Sequence, residues 1–267
     1  KPNRALCPIC ATRKRTTFFH LNAHTFYHFV KNQKSSRKHR ALQSKTIQIA
    51  IIHVKYEEFK KPIFLSIPTK KFQQKNHIMS RTQPIAKTAP EGLELATLAG
   101  GCFWCLEPAF AELKGVLDVE CGYAGSDYAN ANYEAVCTGN TGLAEVIHIL
   151  FDPQIISYET LLQIFFVLHD PTTLNRQGND IGTQYRSAIF THHAAQNLTA
   201  QSMKNWVEQA IEQPVTTQIE AFNPAQYTRA EEYHQEYFER NPDNGYCQMV
   251  IPNKLSKLRA NFVQLLK

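Results

Sequence analysis

The chain has no run of 18 or more apolar residues, so it lacks the sequence signature of a membrane-spanning helix. Its first residues also lack an apolar signal-peptide core followed by a small-residue cleavage site. Acidic residues are nearly missing from the first third: residues 1–78 carry 17 Lys or Arg against Glu57 and Glu58 alone, a net of +15. The rest carries 12 Lys or Arg against 21 Asp or Glu, a net of −9, so the overall +6 conceals two regions of opposite sign. Such a split marks a basic tail joined to a separate domain. No internal repeat is visible, which sets aside a repeat architecture. Cysteine is sparse and odd in number: Cys7, Cys10, Cys102, Cys105, Cys121, Cys137 and Cys247 in 267 residues. A chain of this size needs no disulfide staples, so the count favours a reducing compartment, here the cytoplasm, where any disulfide is catalytic or transient.

Residues 1–78 show no sustained period of 2 or 3.6 and are expected to be a poorly ordered basic segment. Met79 opens MSRTQPIAKTAPEG, the kind of stretch that starts an ordinary protein, so residues 1–78 are expected to be an upstream extension and 79–92 a linker. Cys7 and Cys10, followed by His20, His24 and His28, echo a zinc-finger spacing, but the two halves stand close together and no apolar scaffold accompanies them. The Lys and Arg of this segment suit nonspecific nucleic-acid contact or a transit-like role as well as a solvated tail. Nucleic acid is not an expected partner.

From Leu93 the pattern becomes regular. LELATLA suits a buried strand, Gly100-Gly101 a tight turn, and Phe103, Leu106, Phe110 and Leu113 follow at helical spacing, with Pro108 expected to bend that helix. Strands are expected at GVLDVECGYAG, LAEVIHILFD, RSAIF and TTQIEAF, with Val119, Cys121 and Tyr123 sharing a face. Helices are expected over SYETLLQIFFVLHD, with Ser157 as N-cap, over His193 to Ile211, and after Thr228, where Thr228-x-x-Glu231 has the form of a capping box. DPTTLNRQGNDIGTQY is a long polar loop of the functional kind, and the tail from NPDNGYC onward is expected to be irregular. These elements make an α+β fold, a mixed sheet with packed helices over residues 93–267.

The chemistry concentrates in GGCFWCLE. A strand-to-helix turn places Cys102 where orphan N–H groups and the helix dipole stabilise a thiolate. Cys105 completes a Cys-x-x-Cys spacing that suits a redox pair. A metal site would need a second pair of ligands, and Cys121 and Cys137 supply none, so no metal is expected in this domain.

GGCFWCLEPAF, NANYEAVCTGNTGLAEVIHILFDP, RQGNDIGTQYRSAIF and AEEYHQEYFERNPDNGYC, in that order, resemble the peptide methionine sulfoxide reductase A family over about residues 91 to 263. The resemblance implies reduction of the S-epimer of methionine sulfoxide, in proteins or as the free amino acid, to repair oxidative damage. It implies Cys102 as the nucleophile, which becomes a sulfenic acid and then a disulfide recycled by thioredoxin, with no bound cofactor. Glu145 then corresponds to the acid that protonates the sulfoxide oxygen, Phe103 and Trp104 to the methyl pocket, Tyr133 and Tyr185 to hydroxyls that bind the same oxygen, and Asp180 to the residue that orders their loop. Cys247 in DNGYC is the favoured resolving thiol, with Cys105 the alternative. Leu143 stands where the family has His. Cys121 and Cys137 are given no role, and a monomer is expected because varied oxidised chains need an open site. Two other readings stay open on residues alone: a general thiol-disulfide oxidoreductase using Cys102 and Cys105, and a basic nucleic-acid-binding protein.

Overall fold

The structure is a computed structural model, and it describes residues 84–241 and 243–267, apart from the side chains of Tyr246 and Cys247. The histidines and cysteines of the finger-like spacing, and the proposed start at Met79, lie outside the described residues.

Six strands form one sheet: β1 (Glu94–Gly100), β2 (Val116–Ala124), β3 (Ala144–Phe151), β6 (Ser187–Thr191), β7 (Gln218–Ala221) and β8 (Tyr227–Arg229). A two-stranded ribbon, β4 (Arg176–Gln177) with β5 (Asp180–Ile181), stands apart. The order across the large sheet is β7-β6-β1-β3-β2-β8, and only β6 and β7 run parallel. This is the expected mixed sheet. Alternation within the strands assigns its faces: Leu98, Val119, Cys121, Tyr123, Ile147 and Ile149 join the main core, whereas Ala99, Ala124, Ala144 and Val146 meet Phe190 and Tyr227 on the other side. On that second side Ile85 is buried and donates its N–H to Glu120 at 2.9 Å, and the Lys87 ammonium donates to the carbonyls of Pro224 and Tyr227.

The helices are α1 (Glu107–Ala111), α2 (Tyr133–Cys137), α3 (Tyr158–Leu168), α4 (Ala194–Ile211), α5 (Tyr237–Arg240) and α6 (Gly245–Phe262). Helix α3 begins as the sequence predicts, with Ser157 Oγ accepting the N–H of Thr160 at 3.1 Å, and it packs between the sheet, α4 and α6. Pro108 does more than bend a helix. The chain after Cys102 makes one 3₁₀ turn, Phe103–Cys105, and α1 starts afresh with Pro108 in its first turn, where a missing N–H costs nothing.

Two expectations fail. Thr228 lies in β8 and no long helix follows it; instead there is a 3₁₀ turn, Glu232–His234, and the four-residue α5. Glu231 is drawn away from capping because its carboxylate accepts the Tyr133 N–H and the Tyr123 O–H. The tail is not irregular but an 18-residue helix, α6, that contains Pro252. Its polar composition conceals a narrow stripe, Ile251, Leu255, Leu258 and Phe262, that is buried in the main core. Helix formation there depends on tertiary burial rather than on propensity.

Candidate active site

Two glycines deliver Cys102. A Cβ on Gly100 would lie 2.8 Å from the Phe165 ring of α3. Gly101 has φ +91°, and a Cβ there would lie 2.6 Å from both Cβ and Cγ of Gln177 in the ribbon. Strand β1 therefore ends in a slot between helix and ribbon that admits only backbone, and Cys102 emerges from it as the residue before the 3₁₀ turn. The turn is short, so the dipole expected at Cys102 belongs to a single turn rather than to a full helix.

Around Cys102 opens a cavity of about 310 Å³ lined by Phe103, Trp104, Tyr133, Glu145, Asp180, Tyr185, Tyr237 and Asn244. Glu145 is the second residue of β3, paired with Tyr123 of β2 and facing the main core with Ile147. Its Oε2 accepts the backbone N–H of Phe103 at 3.0 Å, which ties the acid to the cysteine turn. Asp180 enters from the ribbon, which Gln177 secures by accepting the Asp170 N–H and donating to the Asp170 carbonyl. Tyr185 follows on a 3₁₀ turn, Thr183–Tyr185, whose Thr183 hydroxyl donates to the Gly139 carbonyl beyond α2. That bond brings the loop of Tyr185 against the helix that carries Tyr133.

Electrostatics make this a site of proton donors. Burial raises the Glu145 carboxyl from 4.5 to about 8, against the opposing effect of the Phe103 N–H and with help from Asp180 and Cys105. At neutral pH the group is therefore largely a carboxylic acid. Burial first, then the hydrogen-bonded Cys137 thiol and the nearby Glu145 and Cys102, pushes the Tyr133 phenol up. Tyr185 rises through burial, then through Glu145, Cys102, Cys137 and Asp180. The Glu145 carboxyl and the Tyr133 and Tyr185 hydroxyls thus share a recess with the Cys102 thiol and the rings of Phe103 and Trp104. Such a set can polarise an electronegative oxygen while the thiol attacks the atom that bears it.

The structure gathers seven of the residues singled out in the sequence: Cys102, Phe103, Trp104, Tyr133, Glu145, Asp180 and Tyr185. Cys105 sits behind them, 1% exposed in the core, within electrostatic reach of Glu145. For Cys247 the structure gives the main chain, in the first turn of α6, and its side chain lies outside the description. Asn244, three residues earlier, lines the cavity. Cys121 is fully buried, and burial followed by Glu107 pushes its thiol well up. Cys137 is exposed and partners Tyr133. Among the described residues no group of three or more His, Cys, Asp or Glu could hold a metal ion, and no helix is long and apolar enough to cross a membrane.

Sequence reasoning missed Tyr237, whose ring stacks on Trp104 at 3.8 Å and 8°, and Asn244, whose amide donates to the Tyr237 hydroxyl at 3.3 Å. It also missed Glu231 and His234 behind the aromatic wall. Four of these residues stand in or beside AEEYHQEYF and DNG, where the clustered aromatics and carboxylates were the available signal.

The model of a family described as peptide methionine sulfoxide reductase matches residues 94–265. A peptide methionine sulfoxide reductase MsrA of Polynucleobacter asymbioticus is 52% identical over 176 residues, covering 65% of this chain and 92% of that protein. Its counterpart from Nitratiruptor sp. is 52% identical over 174 residues, 65% of this chain and 99% of its own. Among solved structures, Mxr1 from Saccharomyces cerevisiae in reduced form is 36% identical with a TM-score of 0.57, covering 60% of this chain and 92% of that one.

Proposed function

This chain belongs to the peptide methionine sulfoxide reductase family and is a peptide-methionine (S)-S-oxide reductase; from that premise we propose that Cys102 is its nucleophile and Glu145 its acid. The Cys102 sulfur attacks the sulfoxide sulfur while Glu145 gives its proton to the sulfoxide oxygen. The oxygen passes to Cys102, so that methionine and a cysteine sulfenic acid leave the step and two electrons move from thiol to sulfoxide. Tyr133 and Tyr185 donate O–H bonds to the same oxygen, and Asp180 holds the loop that presents Tyr185.

The observation that carries this reading is the convergence, in one aromatic cavity, of a thiol with two phenols and a carboxyl that burial keeps largely protonated. A sulfoxide oxygen is a poor leaving group until protonated, so the acid has to arrive still carrying its proton. Stereochemistry follows from the same walls. With Phe103 and Trp104 taking the methyl, the donors taking the oxygen and the remaining chain leaving by the mouth, the mirror-image sulfoxide would set its methyl against the acids.

The sulfenic acid condenses with a second thiol, releasing water and leaving a disulfide that thioredoxin reduces. We favour Cys247. Using Cys105 would require unwinding the turn that also carries Phe103 and Trp104, whereas Cys247 needs only the first turn of α6 to open beside the cavity-lining Asn244. Residues 93–267 act as the catalytic domain, as a cytoplasmic monomer on oxidised proteins and free methionine sulfoxide.

The test is reduction of separated methionine sulfoxide epimers with dithiothreitol by the wild type and Cys102→Ser. The S-epimer alone is reduced by the wild type, and the variant is inactive. A wild type that reduces neither epimer, or a variant that retains activity, overturns the reading.

A further inference from the structure

Behind the methyl pocket lies a buried imidazole to which the proposed reaction assigns no task. His234 is 1% exposed, and four aromatic rings surround it: Tyr233, Tyr133, Phe103 and Trp104, at centroid distances of 4.1, 4.5, 5.1 and 5.4 Å. Three of these four line the cavity. A wall made only of packing would be served better by a hydrocarbon, because burying an imidazole costs free energy unless its nitrogens are used.

One nitrogen is used. The Trp104 indole Nε1–H donates to His234 Nδ1 at 3.2 Å, which places the imidazole proton on Nε2. That second nitrogen lies 3.8 Å from Glu231 Oε2, an electrostatic contact rather than a hydrogen bond. Burial raises the Glu231 carboxyl, but the Tyr133 N–H and Tyr123 O–H it accepts outweigh that, and the group stays ionised. A fixed carboxylate on the Nε2 side favours the tautomer with its proton there, leaving Nδ1 as an acceptor. Tyr237 stacks flat on the same indole. The Trp104 ring is thus gripped over one face by Tyr237 and at its N–H by His234.

We propose that His234 is a positioning residue for sulfoxide reduction: held in one tautomer by Glu231, it fixes the plane of the Trp104 indole and with it the shape of the methyl pocket. This rests on the functional reading above. The orientation matters because the difference between the two sulfoxide epimers is which substituent faces the ring. A pocket wall free to swing would admit the methyl in more than one place and lower the fraction of bound substrate aligned for attack.

The experiment is a double-mutant cycle on the full chain, with His234→Phe removing the acceptor, Trp104→Phe removing the donor, and both together. In the wild-type background His234→Phe lowers kcat/KM for methionine S-sulfoxide about tenfold, the scale of one neutral hydrogen bond. The loss falls mainly on KM, because the pocket grips the methyl before and during reaction. In the Trp104→Phe background the same change costs less than about twofold, since the bond it would break is already gone. His234→Asn, which keeps an acceptor near the Nδ1 position, restores most of the loss and covers the case in which His234→Phe does not fold.

A second readout needs no catalysis. The chain has two tryptophans, so Trp206→Phe leaves Trp104 as the sole emitter. In that background His234→Phe shifts the emission to shorter wavelength and His234→Asn restores it. Equal losses in both Trp104 backgrounds, or an emission unmoved by His234→Phe, overturn the proposal. A wild type without reductase activity defeats the functional reading instead and leaves the emission test standing.

Discussion

Glu145→Gln isolates the proton from the shape of the site. The amide keeps an oxygen to accept the Phe103 N–H but carries no proton to give and no charge to desolvate. With its carboxyl at about 8, wild-type Glu145 is roughly nine-tenths protonated at pH 7. General acid catalysis contributes about 10²–10⁴-fold, so the variant should lose at least about 100-fold in the rate of methionine formation at pH 7. The assay is single-turnover methionine release, in which no reductant takes part. Wild-type rates should fall above pH 8 as Glu145 ionises, and the variant should lack that descending limb. Cys102 cannot produce the limb, because raising the pH only increases its thiolate fraction. The same carboxyl makes a stability prediction of opposite sign to a salt-bridged acid. Its folded value of about 8 exceeds its ordinary 4.5, so the fold binds the proton more tightly than the unfolded chain does. Stability from this group is complete below pH 4.5 and is lost as the pH climbs toward 8, a difference on the order of 5 kcal/mol when complete. Relative to Glu145→Gln, the wild-type Tm should therefore drop by roughly 10 °C or more between pH 5 and pH 9. Parallel Tm profiles, or a variant within tenfold of wild type at pH 7, would refute the reasoning.

Tyr185→Phe removes one donor to the substrate oxygen and should lower kcat/KM by about five- to tenfold, with the thermal midpoint little changed. Cys247→Ser should form one methionine per enzyme at the wild-type rate and then stall as a sulfenic acid that dimedone traps, whereas Cys105→Ser should turn over; peptide mass mapping of the oxidised wild type should find the bridge between Cys102 and Cys247. Gly101→Ala forces a Cβ into the Gln177 side chain at a positive φ and should cost about 1–3 kcal/mol in urea unfolding, with KM raised as the ribbon that carries Asp180 loosens.

The strands and the two long helices α3 and α4 were legible because alternation and helical spacing act over neighbours in sequence. Ser157 caps its helix as its residue type requires. The candidate site was legible only through the family resemblance, which named Cys102, Glu145, Tyr133, Tyr185 and Asp180 together; taken singly, the glutamate and the tyrosines read as a solvated charge and packing, and the fold brings all five to one cavity. Tertiary structure decided what depends on a partner far along the chain. Glu231 looks like a helix cap until Tyr123 and Tyr133, some 100 residues away, take its oxygens. The tail becomes helix α6 because a stripe of four apolar residues finds the core, and no local signal outweighs Pro252 there. The proton on Glu145 is the clearest case. Its residue type and neighbours in GLAE suggest an ordinary solvated charge, and only burial beneath the Cys102 turn, a product of the whole sheet, turns that carboxylate into an acid.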